Sequence, residues 1–330
     1  MRRLLVTGGA GFIGSHFVEH ALSRSLADKI VVLDALTYAG KRSNLESALA
    51  DSRVRFVHGD ICDGALVEAL LREEGLDGIV NFAAESSVDR SIDDPAVFHR
   101  SNVQGVLCLL EASRWIWCTG SGRRHRFHQI STDEVFGAVP DGAGLRNESA
   151  PYAPRSPYAA TKASADHLIW AWRNTYGLQA SISYSSNVYG PRQQREKFIP
   201  AAISKLLEGG KVPVYGDGRQ RRSWIFVRDI CRALELFMAG DTEGQRLYLG
   251  SEMEFSNLEV LGSLATIAGA DAGDSMEFVE DRPGHDRRYG LSSDVFRKLS
   301  GFKEQVAWKQ GLVETFNWYQ EQDPGSPSGG

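Results

Sequence analysis

Three groups of residues have the types and spacing that chemistry requires. The first is a pair of adjacent carboxylates, Asp133-Glu134, preceded by Ser131-Thr132. Two neighbouring acids can divide proton transfer between them, one acting as base and the other as acid. The second is Tyr158 with Lys162, four residues apart in Tyr158-Ala159-Ala160-Thr161-Lys162. On a helix this spacing puts both side chains on one face, and a neighbouring ammonium lowers a phenol's pKa by favouring the phenolate. Tyr158 is therefore a candidate general base, although the same pair on a surface helix would be an ordinary polar face. The third group is the run Thr7-Gly8-Gly9-Ala10-Gly11-Phe12-Ile13-Gly14. Gly8 permits a tight turn, Gly11 lets backbone approach a pyrophosphate, and Gly14 lets a helix pack closely on a strand. Asp34 ends the next apolar run, about twenty residues beyond the turn, where a carboxylate accepts a ribose diol and repels a 2′-phosphate. The cofactor expected is NAD. Asp60-Ile61 follows a third run and can border an adenine; for Asp60 a helix N-cap is an equal alternative.

These groups need a scaffold, and the apolar pattern supplies one. Short apolar runs at 4–6, 30–33, 54–57, 79–82 and 127–130 alternate with segments of helical spacing. Continuous apolar runs suit strands buried on both faces, so the fold expected is a doubly wound α/β Rossmann fold with a parallel sheet. Segments 131–137 and 158–162 then lie beyond strand ends, where such sheets bind ligands. Neighbours on a strand face opposite ways, so Asp133 and Glu134 meet one substrate only if the strand ends and the chain turns there. Past Pro191 the rhythm changes. Residues 1–190 read as an NAD-binding domain carrying the catalytic groups, and 191–323 as mainly a smaller α/β substrate lobe. Segments are free to cross back, since 180–185 is strand-like and belongs with the first sheet. Residues 324–330, rich in Gly, Pro and Ser, read as a disordered tail.

Composition excludes several classes. The 330 residues carry a net charge of only −5 with both signs interspersed, so no broad basic field exists to draw in nucleic acid. Cys62, Cys108, Cys118 and Cys231 are scattered without zinc spacing, which predicts neither metal nor disulfide. The apolar run at residues 4–6 is too short for a signal segment or membrane span, and a cytoplasmic location follows as the expectation.

The glycine turn and the Tyr158/Lys162 pair resemble the extended short-chain dehydrogenase/reductases that act on nucleotide-sugars, over nearly the whole chain. Within that superfamily the chain is most similar to the dTDP-glucose 4,6-dehydratases. The shared segments are Leu36-Thr37-Tyr38-Ala39-Gly40, Ala83-Ala84-Glu85-Ser86, Val88-Asp89-Arg90-Ser91, Thr132-Asp133-Glu134 and 282–289. The resemblance implies cofactor contacts from Phe12, Ile13, Leu36, Thr37, Gly40, Ala83, Ala84 and Ser86, besides the groups above. It implies that Tyr158 takes the O4 proton, Lys162 holds the ribose and tunes the tyrosine, and Thr132 hydrogen-bonds near O4. Glu134 then takes the C5 proton, Asp133 protonates the leaving O6, and the hydride taken from C4 is delivered to C6. For substrate it implies Ser87, Asn187, Lys197, Phe198, Ile199, Pro213 and Tyr215, with Arg222 clamping the diphosphate beside Asn257 and Tyr289. Arg219 and Arg221 are alternatives to Arg222.

The chain departs from that pattern at Ser87, Val188 and Ser223, where the family usually has histidine, asparagine and an acid, and at Phe136, where tyrosine is usual. Val188 and Ser223 are shared with plant-type UDP-glucose 4,6-dehydratases, so UDP-glucose is the alternative substrate and a nucleotide-sugar 4-epimerase the alternative activity. The long helices expected near 102–115 and 159–175 carry aromatic residues, and the resemblance implies a homodimer through a four-helix bundle.

Overall fold

The structure is a computed structural model that describes residues 2–119, 124–140, 142–240, 242, 244–281 and 284–322. The tail 324–330 lies outside the described residues, as do Arg282 and Pro283 of the 282–289 segment.

The apolar runs form the strands β1 (Arg3–Thr7), β2 (Lys29–Asp34), β3 (Val54–His58), β4 (Gly78–Asn81), β5 (Arg126–Thr132) and β6 (Ala180–Ser185). Strands β7 (Asn187–Tyr189), β8 (Val212–Tyr215), β9 (Arg221–Phe226), β10 (Arg246–Tyr248), β11 (Glu254–Ser256) and β12 (Met276–Val279) follow. The main sheet has the order β10-β6-β5-β4-β1-β2-β3 and is parallel throughout. Two hydrophobic clusters, one on each face of this sheet, bury its central strands, as the unbroken apolar runs require. Strand β3 is the exception: at the sheet edge its residues are half-buried or exposed, and Arg55 interrupts the run.

The chain leaves β1 toward β2 and β3 but leaves β4 toward β5 and β6, so the winding reverses between β1 and β4. Loops on the two sides diverge there, and a crevice opens at the carboxyl ends of these strands. Thr7 Oγ1, Asn81 and Gln129 form a buried hydrogen-bonded row across β1, β4 and β5 just beneath it, with distances of 2.5 and 2.8 Å.

The second lobe holds the sheet β11-β9-β7 and the pair β12-β8. The chain crosses between the lobes several times: β7 directly follows β6 yet pairs with β9, and β10 returns to the edge of the main sheet. Helix Val227–Ala239 likewise packs against helix Phe12–Ser23 of the first lobe.

Gly14 is where helix Phe12–Ser23 presses on the turn after β1. A Cβ there would lie 2.3 Å from the Gly8 carbonyl oxygen and 2.8 Å from the Gly9 Cα, both rigid backbone. Gly14→Ala is therefore expected to lower stability by about 1–3 kcal/mol. Urea unfolding would measure it, and an unchanged midpoint would show that the helix can shift at no cost.

Candidate active site

The floor of the crevice is backbone. Gly8 has φ +65°, and a Cβ on it would meet the Ala83 amide nitrogen at 2.6 Å, so the loops after β1 and β4 are in contact through a residue without a side chain. Helix Phe12–Ser23 has no side-chain cap at Gly11, which leaves its first amides facing the crevice. Asp34 ends β2 with both oxygens fixed, Oδ2 accepting from the Ala10 amide at 2.9 Å and Oδ1 from the Leu36 amide at 2.8 Å. Leu36 takes φ +49° to make that bond. Burial raises the Asp34 carboxyl above its ordinary value, against the two amides. Asp60 accepts from the Cys62 amide and pairs with Arg100 at 2.7 Å; the helix that follows is capped by Asp63 instead, so the N-cap alternative for Asp60 falls away.

A cavity of about 350 Å³ runs along this crevice toward β5 and β6. Its wall includes Gly8, Gly11, Phe12, Ile13, Gly14, Asp34, Thr37, Gly40, Asp60, Ile61, Ala83, Ala84 and Ser86, and continues through Thr132, Glu134, Tyr158, Lys162, Asn187, Lys197, Phe198 and Ile199. The residues present fit a dinucleotide: a side-chain-free cradle at a helix start, a carboxylate at the end of β2, and the buried Gln193 Oε1 in the wall without a hydrogen-bond partner.

At the far end the strand stops just before the two acids. Strand β5 ends at Thr132 and a tight turn, Asp133–Phe136, begins at once, with the Thr132 hydroxyl accepting from the Glu134 amide at 3.3 Å. Asp133 is only 4% exposed, and burial with the nearby Glu134 charge raises its carboxyl to about 7. It is a carboxylic acid that can still hold a proton near neutrality, while Glu134 lines the open cavity.

Helix Pro157–Tyr176 presents Tyr158 and Lys162. Ser156 caps it, its Oγ accepting from the Ala159 amide at 3.1 Å, Pro157 fits the first turn, and Gly177 ends it at φ 71°. Asn102 ties the loop after β4 to this helix, bonding both backbone groups of Glu85 (2.9 and 3.0 Å) and the Thr161 hydroxyl (3.0 Å). One expectation is corrected here. Lys162 Nζ donates to the Ile130 carbonyl at 2.7 Å, and Tyr158 is not brought down toward neutrality. Burial, then the Glu134 and Asp133 carboxylates, push the phenol above its usual range, because protein groups alone leave it desolvated among anions. Burial also brings Lys162 down to about 8, against the pull of Asp166.

The outer substrate residues divide. Arg222 is buried, stacks on the Tyr289 ring at 4.4 Å, and donates to the Asp286, Arg287 and Arg221 carbonyls. The Tyr289 hydroxyl donates to Asp286 at 2.8 Å. The fields of Arg222 on Asp133 and of Glu134 on Tyr289 put this cluster beside the acids. Arg221 faces outward and pairs with Glu259 at 3.2 Å. Leu36, Ser87, Asp133, Pro213, Tyr215, Arg222, Asn257 and Tyr289 stand outside the cavity wall. Ser87 caps helix Val88–Asp93, Asn257 bonds Gln220, and Tyr215 is exposed.

Sequence reasoning missed wall residues. Arg100 and Ser101 enter from a widened helical turn, Arg100–Gln104, which no spacing signals. Glu85, Gln193, Gln194 and Trp224 also line the wall. Asp166, wholly buried one turn past Lys162 and bonded to Ser131 and Tyr152, was legible as the third member of the four-residue spacing.

Fold and site together define a Rossmann-type protein whose crevice at the strand ends gathers Tyr158, Lys162 and Glu134, with the buried Asp133 beside them. The family model for GDP-mannose 4,6-dehydratase matches residues 5–315. The dTDP-glucose 4,6-dehydratase of Xanthomonas campestris pv. campestris (strain B100) is 44% identical over 330 residues, 97% of this chain and 93% of the relative. That of Streptomyces niveus is 45% identical over 324 residues, with the same coverage of 97% and 93%. The dTDP-glucose 4,6-dehydratase of Streptomyces venezuelae, solved with NAD and dTDP bound, superposes with a TM-score of 0.92 at 45% identity, covering 98% of each chain. The chain belongs to the dTDP-glucose 4,6-dehydratase family.

The raised Asp133 carboxyl makes stability depend on pH. Its neutral form is the one the fold accommodates, so its contribution is intact below the ordinary value of 3.8 and is lost as pH rises through about 7. Asp133→Asn stays neutral throughout. It is expected to match the parent near pH 4 and to exceed it by about 2–4 kcal/mol above about pH 8. Urea unfolding at both pH values tests this, and parallel pH dependence in the two proteins would contradict it.

Proposed function

We propose that the chain dehydrates a nucleoside-diphosphate-glucose across C5–C6, converting dTDP-glucose to dTDP-4-keto-6-deoxyglucose with NAD. One observation carries the reading: β5 ends at Thr132, and the turn that follows holds an acid at Asp133 and a base at Glu134 beside Tyr158. A 4-epimerase needs only hydride removal and return and has no use for that pair, whereas elimination needs a base at C5 and an acid at O6.

When bound, NAD would supply the hydride acceptor for C4 and the hydride donor for C6. Gly8, Gly11 and Gly14 would give its pyrophosphate room, Asp34 would accept its ribose diol, and Thr37, Gly40, Asp60, Ile61, Ala83, Ala84 and Ser86 would complete its walls. Tyr158 takes the O4 proton, aided by the Thr132 hydroxyl, and Lys162 holds the ribose as a cation. The C4 ketone acidifies the C5 hydrogen, Glu134 removes it, and Asp133 gives the leaving O6 its proton. Asn187, Lys197, Phe198 and Ile199 receive the sugar diphosphate, with Arg222, Asn257 and Tyr289 closing over the phosphates and Tyr215 flanking the base. Residues 1–190 thus serve mainly the cofactor and 191–323 mainly the nucleotide.

The protein acts in the cytoplasm, a reading supported by its four free cysteines; among the described residues no helix is long and apolar enough to cross a membrane. A homodimer formed through two adjacent helices of each copy is supported by their outer face. Trp115 (53%) and Tyr176 (41%) are exposed, both under the Arg114 guanidinium, and Trp172 bonds Glu111 between the helices at 2.8 Å. Trp115→Glu is expected to shift the protein from dimer to monomer in light scattering; an unchanged mass would remove this face from the interface.

The enzymatic test is product mass and alkali-induced absorbance with dTDP-glucose and UDP-glucose in parallel. Loss of water from dTDP-glucose is the expected result; water lost only from UDP-glucose would reassign the nucleotide, and an isomer of unchanged mass would favour the epimerase. Glu134→Gln is expected to oxidise C4 and then stall with reduced cofactor trapped, with turnover lower by roughly a hundredfold or more.

A further inference from the structure

The dehydration leaves a proton imbalance inside the site. The hydride taken from C4 is delivered to C6, and for the proton Glu134 takes from C5 one proton is delivered back to C5. Two protons do not come back to where they started. The O4 proton ends on Tyr158, and the Asp133 proton leaves with O6 as water. After one turnover Tyr158 is therefore one proton too rich and Asp133 one too poor, while the protein as a whole has exchanged nothing with solvent. A second turnover requires that one proton move from the phenol to the carboxylate.

Both groups are buried, Tyr158 at 9% exposure and Asp133 at 4%. The hydroxyl of Thr132 interacts with both. It donates to Asp133 Oδ1 at 3.3 Å, and it is close enough to Tyr158 to stabilise the phenolate. A threonine hydroxyl has one proton and two lone pairs. One lone pair is held by the Glu134 amide at 3.3 Å, which leaves the other free to accept a proton.

Resting on the dehydratase reading, we infer that Thr132 is a proton relay that resets the site, passing the proton gained by Tyr158 to Asp133 between turnovers. The Tyr158 O–H bond breaks as its proton joins Thr132 Oγ1, and the Thr132 O–H bond breaks as that proton joins Asp133 Oδ1. The threonine ends neutral, with its hydroxyl turned, and the carboxyl is restored. The transfer also helps itself, because the Asp133 charge is one of those that oppose ionisation of Tyr158. The role is distinct from any bond to O4: that bond acts within the oxidation step, whereas the relay acts after product has formed.

Rapid-quench kinetics on the NAD-loaded protein with excess dTDP-glucose separates the two. In Thr132→Val the first equivalent of 4-keto-6-deoxy product is expected to form as a burst, followed by a steady state slower by roughly a hundredfold. That slow phase should carry a larger solvent deuterium isotope effect than the burst and be accelerated by added imidazole as a diffusible proton carrier. Thr132→Ser, which keeps the hydroxyl, should show no burst. First and later turnovers slowed equally in Thr132→Val would overturn the relay, and so would a folded, NAD-retaining variant that cannot complete a single cycle. Failure of the parent protein to dehydrate any nucleotide-glucose would instead strike the dehydratase reading itself.

Discussion

At the ends of β1 and β4 two backbones touch: the Gly8 Cα faces the Ala83 amide so closely that no side chain fits between them. The rest of the site depends on that contact. It occurs where the winding of the sheet reverses, so it sets the depth of the crevice and the height at which a cofactor must lie above the strand ends. The loop after β4 is then held from its other side by Asn102, which hydrogen-bonds the Glu85 backbone and Thr161 of the catalytic helix. The cradle of the first lobe and the helix bearing Tyr158 are thus joined through a single side chain.

The acids show how position gives like residues unlike environments. Asp133 and Glu134 are neighbours at the start of one turn. One is enclosed by Thr132 and by the Arg222 side of the second lobe and is driven toward its neutral form; the other faces the cavity. The dominant cause is desolvation, with mutual repulsion second, and both push in the same direction on the more buried of the two. The positive field of Arg222 limits the effect, so the acid stays within reach of ordinary pH instead of being locked in the protonated state.

Much of this was legible in the sequence because it depends on local geometry. The glycine turn, Asp34 ending β2 and the four-residue spacing of Tyr158 and Lys162 each need only one element and its flank to be read. Thr132-Asp133-Glu134 needed one further fact, that the strand stops there, and no propensity in Ser131-Thr132 announces it. What escaped was non-local. Arg100 and Ser101 reach the crevice because a helix widens by a residue per turn, and Trp224 does so because β9 pairs with β7, the strand that directly follows β6. The tyrosine's raised pKa is non-local for the same reason: spacing puts the ammonium on its face, but the Ile130 carbonyl holds Nζ, and the burial that outweighs it belongs to the assembled site.

Burying the catalytic groups has a consequence for turnover. A site that excludes water from a ketone intermediate strengthens every electrostatic contact in it, but it also cuts its acids and bases off from the solvent that would return them to their starting protonation states. Dehydration with internal hydride return makes that isolation tolerable only because its proton account closes within the site. Epimerisation gives the O4 proton back to the same oxygen and needs no such transfer. On the proposed relay, a hydroxyl bonded to the buried acid beside the phenol serves elimination and has no counterpart task in epimerisation, and it lies on the same few residues, 132–134, whose acids the proposed elimination needs.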